Sequence, residues 1–197
     1  AVQLGTTSDH VIFTRGGTES CNIAIKGVID HVCRQKKFRP HVITSTIEHP
    51  AVREVLSFYA QQDLIDLSLI PIKADGLIDS DLFKKELRPE TVLVSVMYVN
   101  NEIGTVQPVG ALGTLLKEYK EKNNNTPYPL LHTDACQAGN YFLVTVPKLK
   151  ADLITINASK VYGPKGVALL YKREGIQIAP VAMGGGQERG IRSGTEN

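Results

Sequence analysis

Cysteine is scarce in this chain, and the three present, Cys21, Cys33 and Cys136, form no CxxC pair. An odd number without regular spacing excludes a paired disulfide framework. No metal site is expected. A reduced, cytoplasmic compartment is the expectation, with a mitochondrial one left open because the N-terminal end looks cut. Long apolar runs are missing too, so nothing reads as a membrane span. Residues 1–10 carry neither a basic head nor an apolar middle, so no signal peptide is read there. The net charge is only +2, and no basic stripe with interleaved aromatics occurs. That removes the footprint of direct nucleic-acid binding. No internal repeat is visible, and the asparagine run at 123–125 is the one biased tract.

What remains is an ordinary globular composition, 42% apolar and 21% charged over 197 residues. That length suffices for one sizeable core and part of a second domain. Short β-type runs at Val11–Thr14, His41–Ser45, Leu67–Ile72, Thr91–Met97, Leu130–Thr133, Leu153–Ile156 and Val167–Tyr171 alternate with helical patterns. The helical patterns run from Glu19 to about Lys36, from Pro50, from Asp79 or Ser80 through Leu87, and from Gly110 to Lys122. Pro50 suits a first helical turn, where its missing N–H costs nothing. Continuous apolar strands such as 91–97 are typical of a sheet covered on both faces. The alternation predicts an α/β fold with a mostly parallel sheet flanked by helices. Ligands then belong at the carboxyl ends of the strands.

The chemically interesting residues fall at those ends. Gly16-Gly17-Thr18-Glu19-Ser20 follows a strand and opens a helix. Free N–H groups and the helix dipole favour an anion there, and glycine lets the backbone come close. Alone, the motif reads more often as a plain capped turn. No Gly-Lys-Ser/Thr follows, so it is not a Walker loop. Asp134 ends one apolar run, with Gln137 three residues on; helix capping is the equal alternative for the aspartate. His49 lies between a strand and a helix, where an imidazole can stack on a planar ring and move protons. Alone it reads as a loop histidine bonded to backbone. Asn101 follows the 91–97 run and is otherwise a turn residue. Lys160 follows the 153–156 run, before a Gly-Pro turn; Lys165 is its rival, inside the turn. An amine must shed its proton to attack an aldehyde, and burial of Lys160 is the expected means. Cys21 and Cys33 read as buried packing residues on a helix, whereas Cys136 falls beside the site with nothing to activate it. A lysine and an aspartate held at neighbouring strand ends suit pyridoxal 5'-phosphate (PLP). That cofactor needs a lysine for its Schiff base and an acid facing its pyridinium nitrogen.

Six segments together resemble the cysteine desulfurase and selenocysteine lyase family, a class V aminotransferase branch of the fold-type-I PLP enzymes. They are Phe13-Thr-Arg-Gly-Gly-Thr-Glu-Ser20, Thr46-Ile-Glu-His49, Val99-Asn-Asn-Glu-Ile-Gly104, Thr133-Asp-Ala-Cys-Gln137, Lys160-Val-Tyr-Gly-Pro-Lys-Gly166 and Gly184 to Thr195. The resemblance implies that Thr18, with Gly17 beside it, binds the PLP phosphate. It implies that His49 stacks on the ring and shuttles protons, and that Asn101 contacts the ring oxygen or substrate carboxylate. Asp134 pairs with the pyridinium, Gln137 bonds the phenolic oxygen, and Lys160 forms the Schiff base. Thr195 reaches the phosphate of a neighbouring subunit, which implies a homodimer. Two positions depart from the family pattern. Ser159 stands where a phosphate-binding histidine is frequent, and its hydroxyl can serve. Asn157 stands where a serine is frequent.

The implied activity is sulfur removal from L-cysteine, giving L-alanine and an enzyme persulfide for iron–sulfur cluster assembly or tRNA thiolation. A sulfur-acceptor or scaffold protein is the implied partner. Selenocysteine lyase acting on L-selenocysteine is one alternative, and a non-catalytic PLP-binding or interaction module is another. Residues 1–197 read as a partial large PLP-binding domain. The opening segment, the small domain and the catalytic-cysteine loop are not recognisable, so this stretch alone is expected to be inactive.

Overall fold

A computed structural model describes residues 1–35 and 38–195. Its centre is a seven-stranded sheet. In chain order the strands are β1 (Val11–Thr14), β2 (His41–Ser45), β3 (Asp66–Ile70), β4 (Thr91–Ser95), β5 (Leu130–Asp134), β6 (Leu153–Asn157) and β7 (Ala168–Lys172). In space they lie in the order β1-β7-β6-β5-β4-β2-β3. The β3-β2-β4-β5-β6 pairings are parallel. Strand β7 runs antiparallel to both β6 and β1. Six strands therefore share one direction, and their carboxyl ends line one rim of the sheet.

The helices are α1 (Gly17–Gln35), α2 (Pro50–Gln61), α3 (Ser80–Glu86), α4 (Val109–Lys122) and the short α5 (Val146–Leu149). The expected end of α1 at Lys36 lies outside the described residues. Asp79 is the α3 cap, accepting from the N–H groups of Asp81 and Leu82 at 3.0 and 3.1 Å. A 3-10 turn, Ala158–Lys160, follows β6 directly.

Neighbouring strand residues go to different cores. Val42, Leu93, Leu130 and Leu153 pack with α1 and α2 on one face. Ile43, Val94, Leu131 and Ile154, each one position on, pack with α3, α4 and α5 on the other. This explains the continuous apolar runs: a strand covered twice cannot alternate with polar residues. Each of these side chains is almost fully buried, which contributes about 2 kcal/mol apiece. On α1, a Cβ at Gly27 would meet Ile178 Cβ at 3.0 Å and the Ala179 carbonyl at 3.1 Å. The glycine lets the 176–179 segment lie directly on the helix.

Strand β1 is an edge, and Phe13 on it is 57% exposed, so the run is not uniformly buried. Its backbone is instead covered by the 187–192 segment. Phe13 N–H donates to Glu188 Oε2 at 3.0 Å, and Arg189 Nη2 donates to the Val11 carbonyl. Covering an edge in this way removes a template for unwanted strand pairing.

Two histidines sit inside the sheet. His132 bridges Ser95 Oγ at 2.8 Å and Thr155 Oγ1 at 3.1 Å, and His41 bridges Thr91 Oγ1 at 2.8 Å and Ser68 Oγ at 2.9 Å. Burial pushes each ring down to about 4, so both are neutral at pH 7. An unfolded chain would take up these protons near pH 6.5, so their stabilisation is complete above that value and is lost as pH falls toward 4. The stability difference between the parent and His132→Gln should be flat above pH 6.5. It should shrink by up to about 3 kcal/mol by pH 4, as read by urea denaturation at each pH.

Candidate functional site

The rim made by the carboxyl ends of β1, β2, β4, β5 and β6 carries a cavity of about 170 Å³. Its lining includes Gly17, Thr18, His49, Asn101, Asp134, Gln137, Asn157 and Lys160. These residues come from five separate connections, spread over more than 140 positions of sequence. Hollows of about 430 and 440 Å³ occur elsewhere, but neither brings a lysine and a carboxylate together. Chemistry and not size marks the site.

Asp134 is its floor. The last residue of β5, it is 8% exposed. Oδ1 accepts from the Cys136 N–H at 2.9 Å, the capping geometry that was the alternative reading, while Oδ2 lies 3.8 Å from Cys21 Sγ. Among the described residues, no ion pair includes Asp134. A buried carboxylate without a cation is costly unless a ligand supplies one.

Helix α1 starts beside this floor. Gly17 is buried and Thr18 exposed at the cavity. A Cβ on Gly17 would lie 2.9 Å from Cys136 Sγ, so a larger residue would push the helix start away. Glu19 Oε2 accepts from the Arg15 N–H, which closes the turn before the helix.

His49 caps α2 and lines the cavity as well. Its Nδ1 accepts from the Ala51 N–H at 3.1 Å, so in this geometry the proton of the neutral ring is on Nε2. The backbone-bonded reading of this residue is the one found, on a ring that also lines the cavity. Lys160 sits at the end of the 3-10 turn after β6, and its carbonyl accepts from Asn140 Nδ2. It is exposed, so the expected burial of this lysine is not found. Lys165 is exposed and does not line the cavity.

Two expected residues stand outside the cavity. Ser159 is exposed and turned back onto its own loop, with Oγ 3.1 Å from Asn157 Oδ1. Thr195 lies in a separate hollow of about 220 Å³, with Arg15, Glu188 and Arg192. The arginines of that segment are not spare. Arg192 is 6% exposed and pairs with Glu19 at 3.1 Å, and Arg189 is spent on β1.

Sequence reasoning passed over Met97 and Val99, which line the cavity just past β4, and Ala51 on α2. Met97 closes the apolar run at 91–97, so only its position beyond a strand end signalled it.

The thiols are quiet. Burial, then the charge of Asp134, pushes Cys21 and Cys136 well above the usual thiol range. Cys33 is exposed, contrary to the expectation of a packed residue.

An α/β sheet whose strand-end rim gathers a buried carboxylate, a histidine and a lysine around one cavity has the architecture in which ligands bind at strand ends. The comparisons narrow the class. The aminotransferase class-V family matches residues 2–196. A cysteine desulfurase IscS of Dictyoglomus turgidum is 44% identical over 197 residues, all of this chain and 47% of that protein. A mitochondrial cysteine desulfurase of Arabidopsis thaliana is 43% identical over 188 residues, 94% of this chain and 39% of that protein. Among solved structures, a NifS-like protein superposes with a TM-score of 0.90 at 36% identity, over 100% of this chain and 51% of that one. SspA in complex with cysteine gives 0.87 at 35%, over 100% and 54%. The chain belongs to the aminotransferase class-V family, and these relatives within it are cysteine desulfurases. It spans about half the length of the curated relatives it matches.

Thiolate availability and access set cysteine reactivity. Iodoacetamide at pH 7.5 should therefore alkylate Cys33 first, with Cys21 and Cys136 slower by at least about tenfold. Peptide mass mapping over time reads the order.

Proposed function

We propose that the cavity holds PLP and that the whole protein removes sulfur from L-cysteine. The observation that carries this reading is the buried, unpaired Asp134 carboxylate sharing a small cavity with Lys160. A pyridinium nitrogen is the cation such a floor requires. A second observation fits an anionic end of the same ligand: the start of α1 opens on the cavity, where Gly17 keeps the backbone close.

In this reading Thr18 and the first N–H groups of α1 take the phosphate. Asp134 holds the ring nitrogen protonated, and Gln137 donates to the phenolic oxygen. Asn101 serves the ring oxygen or the substrate carboxylate, and Asn157 closes the phosphate side. Ser159 joins it only by turning from Asn157. His49 stacks on the ring and exchanges a proton through Nε2. Lys160 Nζ anchors the cofactor and moves a proton at the substrate carbon. When bound, PLP supplies an electron sink for that carbon.

The C–S bond of cysteine breaks and an S–S bond forms on a cysteine thiolate, leaving alanine and an enzyme persulfide. Cys21, Cys33 and Cys136 do not supply that thiolate: Cys21 is buried and Cys136 half-buried, desolvation and the charge of Asp134 raise both thiols well above the usual range, and Cys33 lies near the far end of α1, away from the cavity. The complex of SspA with cysteine supports cysteine as the substrate. The sulfur then passes to an acceptor or scaffold protein for iron–sulfur cluster assembly. A homodimer is part of the proposal, with Thr195, exposed and outside its own cavity, completing the phosphate site of the partner. Relatives are bacterial, mitochondrial and mitosomal, and a reduced compartment suits the free thiols. Among the described residues no helix is long and apolar enough to cross a membrane.

Borohydride reduction in the presence of PLP should place the label on Lys160, as read by peptide mass mapping. A label on Lys165 would overturn the assignment. Asp134→Ala should weaken PLP binding more than Gln137→Ala. A charge-assisted contact is worth roughly 1.5–3 kcal/mol and a neutral one about 1. Absorbance titration of the two variants compares them, and equal losses would refute the ranking.

A further inference from the structure

Glu48 has no role in the chemistry above, yet it is 3% exposed and adjoins two residues that line the cavity, His49 next to it in sequence and Met97 through a hydrogen bond. Its Oε1 accepts twice, from Ser45 Oγ at 2.5 Å and from the Met97 N–H at 2.9 Å. Its Oε2 is buried and meets no partner. Asn100, 6% exposed, makes the return connection: its Nδ2 donates to the Ile47 carbonyl at 2.9 Å. The Asn100 Oδ1 accepts from the N–H groups of Glu102 and Ile103 at 2.8 and 2.9 Å. Two loops are thus tied by reciprocal bonds. One carries His49, and the other carries Met97, Val99 and Asn101, all of which line the cavity.

We propose that Glu48 and Asn100 are positioning residues that clamp the His49 loop to the exit of β4, and that the clamp holds only while Glu48 carries its proton. The geometry motivates the proton. A neutral carboxyl leaves one polar atom unmet, whereas an ionised one would leave a buried charge that has two hydrogen bonds on one oxygen, none on the other and no cation. The groups facing it add no cation. Asp134 comes from β5, Cys21 from α1, Ser45 from the end of β2, and Met97 and Asn100 from the β4 exit. Among the described residues no ion pair includes Glu48. In agreement, burial pushes its carboxyl up to about 8, against the bonds from Ser45 and Met97, and the charge of Asp134 adds to the rise. Ionisation on the alkaline side then puts two like charges behind the ring site and drives the His49 wall outward.

The clamp rests on the proposed PLP site only for its consequence, so the test has arms with and without cofactor. It compares the protein with Glu48→Gln, a neutral isostere whose amide oxygen can take both donors, and with Asn100→Ala. Without cofactor, the melting temperature of Glu48→Gln relative to the parent should climb as pH rises from 4.5 to 8 and level off above that. This follows because the unfolded parent ionises first. The imidazole NMR signal of His49 should show a step near pH 8 in the parent that Glu48→Gln lacks. With PLP, the dissociation constant of the parent should rise about tenfold between pH 7 and 9, beyond any change in Glu48→Gln. Asn100→Ala should weaken binding at every pH, with the alkaline step retained. A melting difference independent of pH, or a His49 step that persists in Glu48→Gln, would overturn the proposal. Should the parent take up no PLP at any pH, the cofactor reading fails, and the His49 signal and the melting difference still decide on the clamp.

Discussion

Burial of the sheet on both faces is the constraint from which the rest follows. A parallel strand flanked by two helical layers has no solvent face, so its polar residues can surface only at its ends. Here six strands point the same way and release the chain at one rim. The functional side chains gather there because the middle of each strand is closed to them. The buried polar rings, His132 in the middle of β5 and His41 at the start of β2, are neutral and bonded on both ring nitrogens.

The same burial sets the electrostatics of the site. Four acidic groups crowd the floor and wall: Asp134, Glu48, Cys21 and Cys136. Desolvation favours the protonated forms of Glu48, Cys21 and Cys136, and the charge of Asp134 adds to the rise. Asp134 accepts a backbone hydrogen bond from Cys136 and lines the cavity. The same burial leaves the thiols of Cys21 and Cys136 unsuited to attack.

Much of the fold was legible because two-sided burial leaves a plain mark. Runs such as Thr91–Met97 and Leu130–Thr133 carry consecutive apolar residues, and the strand bounds fall within a residue or two of them. The residues at strand exits were legible for the related reason that polar residues after an apolar run have few other uses. The reversed direction of β7, the turn at α5 and the edge position of β1 left no mark. Direction and edge position depend on pairing partners distant in sequence. Lys160 was expected to be buried and is exposed, because burial depends on what surrounds the 3-10 turn and not on the strand before it. Cys33 was expected to pack, but its place on the outer side of α1 is decided by the neighbours of that helix.

By itself, then, the sequence determined the α/β alternation, the identity of the strand-end residues and the motifs shared with the family, since these are local patterns of hydrophobicity and residue type. Only the tertiary structure decided which of those residues meet. It brought Gly17, His49, Asp134 and Lys160 into one cavity and left Ser159 and Thr195 outside. It spent Arg189 and Arg192 on their own chain, and it tied the His49 loop to the β4 exit through Glu48 and Asn100. The reason is distance: these contacts join residues tens to more than a hundred positions apart, and only the packing of the sheet sets which chain exits become neighbours.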